Sequence, residues 1–458
     1  MSLPGLILTE ITAELSLFAA AGFLLFALDD LVVDVIYFVR SAWRSLVIYS
    51  RYPRMSAAML PVPMRPGWMA VLIPAWDEAS VIAPMLRAAL SRFDHDEYLL
   101  FVGHYRNDPA TRTAIESVGD PRIISVENDV DGPTTKADCL NRLYAALEAH
   151  ECAIGRTAKA IVLHDAEDLV HPLELKLFDR MVEYAGVVQL PVVPLIDPAS
   201  RWVAGHYADE FAEAHMKDLV VREAVGAAIP LAGVGCAIER VALARLAARR
   251  DGLPFSGASM TEDYELGIRL GAIGVKTMFV RIPAEPGNRS IVASRGHFPS
   301  TITTAVRQKT RWIGGIAFAG WDQLGWRVGL GDRWMQMRDR RSPLAALLLL
   351  AGYGAAVLWA EIAFSAAMGA PVAVPISKPL ALLMWINGWL LGWRLVMRAC
   401  FTTAAYGWQE GLRSIPRMIV ANVVAILAAR RALLLHSAGG AKRWDKTQHI
   451  FPAGTFRT

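Results

Sequence analysis

The feature that most constrains this chain is the position of its apolar segments, which lie towards the two ends and leave a middle section of ordinary polarity. Residues 15–28 carry no charge, and with the residues before them they reach the ~20 apolar residues needed to cross a bilayer core. Residues 344–377 contain Glu361 as their only charged residue, and residues 380–406 form a third apolar segment. Hydrophobic residues make up 54% of the 458 residues, which excludes a disordered chain and indicates that part of it lies in lipid.

Basic residues indicate which end of each apolar segment faces the cytoplasm. The first 39 residues contain no lysine or arginine. Five arginines then follow without an intervening acid: Arg40, Arg44, Arg51, Arg54 and Arg65. By the positive-inside rule, the N-terminus is outside the cytoplasm and the chain beyond Arg40 begins inside it. Arginines also flank residues 344–406, which we therefore predict to form a transmembrane hairpin with both ends in the cytoplasm.

Residues 414–435 allow two interpretations, because only 12 residues separate Arg417 from Arg430. So short a stretch favours an amphipathic helix at the membrane interface over a fourth transmembrane helix. The predicted parts of the chain are a transmembrane helix (1–40), a basic interfacial linker (41–64), a cytoplasmic domain (65–320), an interfacial segment (321–343), the transmembrane hairpin (344–406), and an interfacial helix with a C-terminal tail (407–458).

The cytoplasmic domain alternates short apolar runs with helical patterns. Strands are predicted at 69–74, 98–102, 122–126, 160–164, 186–190 and 276–282, and helices at 79–90, 136–150, 172–184, 206–225 and 262–270. This alternation predicts an α/β fold with a mostly parallel, Rossmann-like sheet covered on both faces. Ligands of such sheets bind outside the carboxyl ends of the strands, so the residues that follow the strands are the first candidates for a site.

Charge and cysteine content exclude two other classes of protein. The net charge of +4 is too small to indicate a nucleic-acid-binding protein. The four cysteines show no Cys-x-x-Cys spacing, which argues against a disulfide framework and against a zinc site.

An acidic run, Asp165-Ala166-Glu167-Asp168, follows the predicted strand 160–164. Carboxylates this close repel one another unless a cation neutralises them, and Mg²⁺ or Mn²⁺ prefers such oxygen ligands. The competing interpretation is a solvated acidic loop that caps the next helix.

Two further segments place charged residues next to predicted strand or helix ends. Glu78 lies in the loop after the first strand, where it suits either the base or ribose of a nucleotide or the start of a helix. Lys136 and Asp138 lie at a helix N-terminus, which is a site for a phosphate or a plain helix cap.

Three motifs follow in the second half of the domain. Cys236 follows two glycines that permit close approach of a ligand or simply form a turn. Glu262 and Asp263 precede a helix, where one carboxylate suits proton removal from a hydroxyl, although both also suit a helix start. The last motif places an amide, a guanidinium and an indole on one helix face, which suits a sugar phosphate or a helix surface beside the membrane: Gln308, Arg311 and Trp312.

The order of these motifs resembles that of membrane-embedded family 2 glycosyltransferases, the processive polysaccharide synthases of the cellulose and hyaluronan synthase type with a GT-A domain. The resemblance rests on Pro-Ala-Trp-Asp-Glu, Lys-Ala-Asp, Asp-Ala-Glu, Gly-x-Gly-Cys, Thr-Glu-Asp and Gln-x-x-Arg-Trp, over residues 65–320. Additional segments resemble the phage-adsorption protein B subfamily: Leu28-Asp29-Asp30, Tyr52-Pro53-Arg54-Met55, His164 to Asp168, Ala305 to Lys309, and Trp444-Asp445-Lys446-Thr447.

The resemblance implies a role for each motif. Asp165 and Glu167 would hold the Mg²⁺ or Mn²⁺ ion that bridges the donor diphosphate, and Asp168 would share or replace the role of Glu167. Asp263, beside Glu262, would be the general base. Glu78 and Lys136 would contact the nucleoside end of the donor, and Asp138 would also bind substrate. Cys236 would line the acceptor site, and the diphosphate and acceptor sugar would be held by the last motif: Gln308, Arg311 and Trp312.

As a whole, the resemblance implies an inverting transferase of the bacterial inner membrane that elongates an exported polysaccharide from a UDP-hexose or UDP-N-acetylhexosamine. Transfer of one sugar to a lipid carrier and a non-enzymatic phage-receptor or secretion scaffold are the alternatives. Base identity stays open because Gly103 to Asp108 lacks the paired aspartates of many relatives. Expected partners are an outer-membrane export protein and a second copy of the chain, and cyclic-dinucleotide regulation is expected only through another protein.

Overall fold

The structure is a computed structural model and describes residues 3–288, 290–327, 329–369, 376–439 and 449–452. The predicted tail motif Trp444-Asp445-Lys446-Thr447 lies outside the described residues. The strands are β1 (Met69–Pro74), β2 (Tyr98–Tyr105), β3 (Ile123–Asn128), β4 (Ala160–Leu163), β5 (Val187–Gln189), β6 (Val192–Leu195), β7 (Cys236–Glu239), β8 (Thr277–Phe279) and β9 (Ser294–His297).

The helices lie between the strands in the middle of the chain and continue without strands after β9. They are α1 (Leu3–Trp43), α2 (Ile82–Arg92), α3 (Pro109–Glu116), α4 (Lys136–Ile154), α5 (Glu174–Met181), α6 (Val203–Glu213), α7 (Leu219–Ala224), α8 (Arg240–Ala247), α9 (Glu262–Ala272), α10 (Ile302–Ile313), α11 (Gly320–Leu324), α12 (Leu330–Arg340), α13 (Ser342–Ala367), α14 (Lys378–Tyr406) and α15 (Trp408–Ser437).

Seven strands form one mixed sheet in the order β3-β2-β1-β4-β7-β5-β8. All neighbouring pairs in this sheet are parallel except those of β7, which runs antiparallel to both β4 and β5. All six residues of β1 are buried, because helices cover both faces of the sheet at this central position. Strands β6 and β9 form a separate parallel pair. The predicted α/β fold with a mostly parallel sheet is therefore confirmed.

Side-chain capping stabilises the N-termini of the helices that border the carboxyl edge of the sheet. Helix α4 begins with a capping box, in which the Thr135 hydroxyl accepts the Asp138 N–H and the Asp138 carboxylate accepts the Thr135 N–H. Asp108 caps α3 and also accepts the N–H of Asp77 at 2.6 Å. These contacts satisfy backbone donors that a helix start leaves unpaired, and they hold the loops after β1 and β3 in place.

Four of the described helices are long and apolar enough to cross a membrane: the segment Ile7–Ile48, α13, α14 and α15. Helix α1 packs against both α13 and α14, and all three agree with the predicted spans. The number of candidate spans is thus one more than the sequence predicts, because α15 extends over 30 residues and not only over 414–435.

Helix α15 buries one stripe of residues, which contacts α6, α10, α13 and α14. The stripe recurs at intervals of three or four residues: Gly411, Ser414, Arg417, Ala421, Val424, Ala428 and Ala432. Arg417 donates to Asp209 of α6 at 2.8 Å, and both side chains are fully buried. The stripe thus packs on helices of the domain, α6 and α10, as well as on the apolar helices α13 and α14, and the interfacial placement of 414–435 stays a prediction.

Ion pairs join α1 to the segment that follows α6 and to the end of α12. The Nζ atom of Lys217 lies 2.5 Å from Asp34 and 2.6 Å from Glu213, and the Lys217 side chain is 1% exposed. Arg341 pairs with both Asp29 and Asp30 near the start of α13. Removing one partner of a buried pair such as Lys217–Asp34 is destabilising, so this contact holds α1 against the α/β domain.

Candidate active site

A cleft of about 1870 Å³ opens at the carboxyl edge of the sheet, where the loops after β1 and β4 meet the starts of α4 and α9. Nine of the predicted site residues line it: Glu78, Lys136, Asp165, Glu167, Glu262, Asp263, Gln308, Arg311 and Trp312. They reach the cleft from five separate places in the sequence, as expected for a ligand site at the ends of parallel strands.

Lys136 forms the positive centre of one half of the cleft. Its Nζ lies 2.5 Å from Asp165 Oδ1 and 3.6 Å from Glu262 Oε1. Burial opposes the charged ammonium, but the carboxylates of Asp165, Glu262 and Asp263 outweigh it and raise the pKa of Lys136. Burial in turn raises the pKa of Glu262 to about 7, against the opposing effect of Lys136. The lysine therefore stays charged and suits an anionic diphosphate.

Asp263 lies at the first turn of α9, next to Gly233 in the loop before β7. Its Oδ1 accepts the backbone N–H of Tyr264 at 2.7 Å. Burial is the largest cause of a raised pKa at Asp263, and nearby Lys136 counteracts it. A partly buried carboxylate whose pKa is raised has the property required of a group that removes a proton from a hydroxyl.

A second group of charged residues lies around Glu167. One ligand atom each from Glu78, Glu167 and His449 falls within 4.8 Å of the others. Burial, together with the carboxylates of Asp165 and Glu78, raises the pKa of Glu167 to about 8 although His449 opposes the shift. Carboxylate oxygens with one imidazole are a donor set that fits a divalent transition-metal cation such as Mn²⁺.

Helix α10 presents the amide and guanidinium of its motif to the cleft. Gln308 Oε1 and Arg311 Nε are buried and have no hydrogen-bond partner within the part of the chain that the structure describes. Trp312 forms an aromatic wall with Tyr207 and Phe211, at ring-centroid distances of 6.0 and 6.3 Å. Buried polar groups usually have a partner, so the unsatisfied atoms of Gln308 and Arg311 indicate a ligand at this end of the cleft.

Two of the predicted residues do not reach the cleft. Asp138 is the N3 residue of the α4 capping box, so its carboxylate is used by the helix start. Cys236 is fully buried in β7, between Leu163 of β4 and Gln189 of β5. The nearby Val234 lines the cleft in its place. Substrate-binding roles for Asp138 and Cys236 therefore have no structural support.

Asp168, which the resemblance offers as a metal ligand beside or in place of Glu167, forms hydrogen bonds to its neighbours in the chain. It accepts from His164 Nδ1 at 2.9 Å and from the backbone N–H of Asp165 at 3.0 Å. His164 Nε2 lies 2.6 Å from Glu174. Burial opposes protonation of His164, but Glu174 and Asp168 together raise its pKa to about 10. These contacts hold the loop after β4, and Asp168 lines the cleft beside Glu167.

Two parts of the cleft were absent from the sequence prediction. His449 and Ile450 return to it from beyond α15, and Arg338, Arg341 and Ser342 extend it towards the start of α13. A lone histidine in a polar tail carries no local signal. Arg338 and Arg341 do carry a local signal, because they precede an apolar segment, but arginines in such a position indicate membrane orientation and not a ligand site.

Comparison with known proteins places this cleft in a family. The model described as glycosyl transferase family group 2 matches residues 160–397, more than half of the chain. Bacteriophage adsorption protein B of Escherichia coli (strain K12) and bacteriophage N4 adsorption protein B of Escherichia coli O157:H7 are each 36% identical over 93% of this chain. The chain spans 60% of the length of these curated relatives.

Solved structures with similarity to the chain include two glycosyltransferases. A mannosyltransferase from Pyrobaculum calidifontis, in complex with GDP-mannose and Mn²⁺, has a TM-score of 0.49 at 17% identity and covers 89% of this chain and 99% of its own. Glucosyl-3-phosphoglycerate synthase from Mycobacterium tuberculosis, in complex with Mn²⁺, UDP-glucose and phosphoglyceric acid, has a TM-score of 0.25 at 18% identity and covers 39% of this chain and 58% of its own.

Proposed function

This chain belongs to glycosyl transferase family group 2 and is a glycosyltransferase of the GT-A class, and we propose that it elongates an exported polysaccharide from a nucleotide-activated sugar, with inversion at the anomeric carbon. One observation carries the proposal. A partly buried carboxylate, Asp263, shares a single cleft with the cationic Lys136 and with unsatisfied polar atoms of Gln308 and Arg311. A base and diphosphate-binding groups that face the same cleft are what a displacement at a sugar carbon requires.

The proposed reaction is a single displacement. Asp263 accepts the proton of an acceptor hydroxyl while that oxygen forms a bond to the anomeric carbon and the bond from this carbon to the diphosphate oxygen breaks. The nucleoside diphosphate leaves with the bonding electron pair. Lys136 and Arg311 stabilise the negative charge that collects on it, because both lie in a cleft where water screens them poorly.

A divalent cation suits the acidic side of the cleft, where Glu167 is buried next to other carboxylates. Asp165 and Glu167 would hold it, as the motif predicts, although Asp165 already pairs with Lys136. When bound, the cation supplies positive charge to the leaving diphosphate. Glu78, which is 3% exposed, is held by the hydrogen bond from its backbone N–H to the Thr111 hydroxyl and would contact the nucleoside end.

We place the enzyme in the bacterial inner membrane, with the cleft in the cytoplasm and the N-terminus in the periplasm. The arginines that flank α13 and α14 support this orientation. Transfer of one sugar to a lipid carrier is the second candidate, because the cleft extends to Arg341 and Ser342 at the start of the apolar helix α13. An acceptor attached to the membrane would reach the site from this side.

Turnover by the purified full-length chain tests the proposal. We expect nucleotide release from one member of a panel of UDP-sugars and GDP-sugars, in the presence of Mn²⁺ or Mg²⁺, and a polymeric product. A single lipid-linked sugar would replace the polymer proposal by the second candidate. Asp263→Asn should abolish transfer, whereas Asp94→Asn, which removes a surface ion pair with Lys176, should not. Full transfer by Asp263→Asn would refute the assignment of the base.

A further inference from the structure

An ion pair holds one flank of helix α10 against helix α6. Lys309 of α10 is buried, and its Nζ atom lies 2.7 Å from both carboxylate oxygens of Glu210 in α6. The same ammonium lies 5.3 Å from the centre of the Tyr207 ring, which is also in α6. Neither Lys309 nor Glu210 belongs to the described residues that line the cleft. The pair therefore acts on the position of α10 and not directly on a ligand.

The place of Lys309 on α10 lets this pair control the rotation of the helix about its axis. Successive residues of an α-helix are about 100° apart around the axis. Lys309 therefore points about 100° away from Gln308, and Trp312 lies between these two directions. A rotation that pulled Lys309 away from Glu210 would turn Gln308 and Trp312 by the same angle. The pair thus helps to set the direction in which both motif side chains face the cleft.

Helix α10 has a second support on helix α15. The Thr310 hydroxyl lies 3.4 Å from the carbonyl oxygen of Ala428, and Thr310 is on the side of α10 that faces away from the cleft motif. On the other flank, Trp312 packs edge to face on Tyr207 of α6 at 6.0 Å. Helix α15 therefore supports the back of α10, while α6 holds the flank that bears Lys309 and Trp312.

The residue next to Glu210 in α6, Asp209, binds two of the apolar helices. Its carboxylate accepts from Arg417 of α15 at 2.8 Å and from Arg398 of α14 at 3.3 Å. The side chains of Asp209 and Arg417 are fully buried, where an ion pair is little screened by water. Adjacent carboxylates of one helix thus contact α10 on one side and two candidate transmembrane helices on the other.

We propose that Glu210 is a positioning residue for sugar transfer: its ion pair with Lys309 fixes the rotation of α10 and so the direction in which Gln308 and Trp312 face the cleft. Because Asp209 ties the same helix to α14 and α15, the shape of the cleft depends on how those helices pack. This inference rests on the proposed function for its effect on transfer, whereas the position of α10 can be measured without any donor.

Turnover by the full-length chain measures the effect on transfer. Glu210→Gln should lower kcat/KM for the donor about tenfold or more, because a displacement of about 1 Å in a substrate-binding group can cost about 100-fold. Lys309→Met should have a similar effect, and the double variant should lose no more than the more affected single variant, since both break the same contact. Glu151→Gln is the matched control: it breaks an ion pair with Arg240 outside the cleft, so it should lower the melting temperature and leave kcat/KM unchanged.

Fluorine NMR of the full-length chain labelled with 5-fluorotryptophan measures the position of α10. Trp312 is one of 14 tryptophans, and its signal is the one that Trp312→Phe removes. We expect Glu210→Gln to shift this signal and Glu151→Gln to leave it in place. An unmoved signal or an unchanged kcat/KM in Glu210→Gln overturns the proposal, and so does a double variant whose losses multiply. If the unaltered chain turns over no donor, the proposed function fails, and the Trp312 signal alone decides whether Glu210 positions α10.

Discussion

Gly233 and Asp263 approach so closely that a Cβ atom at position 233 would lie 2.8 Å from Asp263 Oδ2. The φ of Gly233 is also +77°, in the left-handed region that side chains rarely adopt. The loop before β7 therefore packs directly against the carboxylate of the proposed base. Any side chain at Gly233 must move the carboxylate on which proton removal depends.

Gly233→Ala should lower turnover by up to about 100-fold, because a displacement of about 1 Å in a catalytic group has an effect of that size. Gly226→Ala is the matched control, since its φ is +72° and no atom lies within 4 Å of the added Cβ. Both variants carry similar backbone strain and should lose similar melting temperature. Equal losses of turnover in the two would show that strain alone, and not contact with Asp263, limits the enzyme.

Lys136→Met should raise the KM for the donor about tenfold or more. The substitution removes the cation between Asp165 and Glu262, and charged hydrogen bonds contribute about 1.5–3 kcal/mol each. Lys176→Met is the control, because Lys176 forms an exposed pair with Asp94. Steady-state kinetics at varied donor concentration measure the effect. An unchanged KM in Lys136→Met would contradict a contact between Lys136 and the donor.

Asp138→Ala should lower stability and leave the KM for the donor unchanged. Loss of a helix cap costs about 0.5–2 kcal/mol, which a thermal melt of the purified chain can detect. The capping box at Thr135 is the reason for this expectation. A raised KM with an unchanged melting temperature would restore the substrate-binding role that the sequence predicts for Asp138.

Asp34→Asn should destabilise the chain by about 1.5–3 kcal/mol, because it removes one of the two close carboxylate partners of the buried Lys217 and leaves Glu213. Adding Lys217→Met should recover part of this loss, since the double variant no longer buries an ammonium that has lost a partner. Thermal unfolding in detergent measures both. If the two losses simply add, the pair does not couple α1 to the catalytic domain.

Chemical labelling of Cys152 can report which side of the membrane the α/β domain faces. It is exposed on α4, whereas Cys139 and Cys236 are buried. Because Cys400 of α14 is also exposed, the test starts from a Cys400→Ser chain. In that background a membrane-impermeant maleimide should label Cys152 only after the inner membrane is opened, and Cys152→Ser should remove that labelling. Cys139 and Cys236 should react only in denaturant. Labelling of Cys152 in intact spheroplasts would place the domain outside the cytoplasm and contradict the proposed topology.

Local sequence patterns were sufficient to predict the strands and helices whose apolar residues recur with a strong periodicity. The run Met69–Pro74 matches β1 at both ends, because it is continuously apolar and helices cover both faces of the sheet there. Strand β7 escaped prediction because it is short and follows two glycines that indicate a turn. Strand β9, Ser294–His297, has no alternating apolar pattern at all, and its pairing with β6 depends on a distant part of the chain.

The sequence by itself determined which residue types follow each strand, and therefore the family and the chemical groups at the carboxyl edge of the sheet. Only the tertiary structure decided which charges meet. It pairs Asp165 with Lys136 and brings His449 to Glu78, 371 residues away. The physical reason is that strands, caps and turns depend on neighbouring residues, whereas the partner of a buried charge is selected by the closure of the whole chain around it.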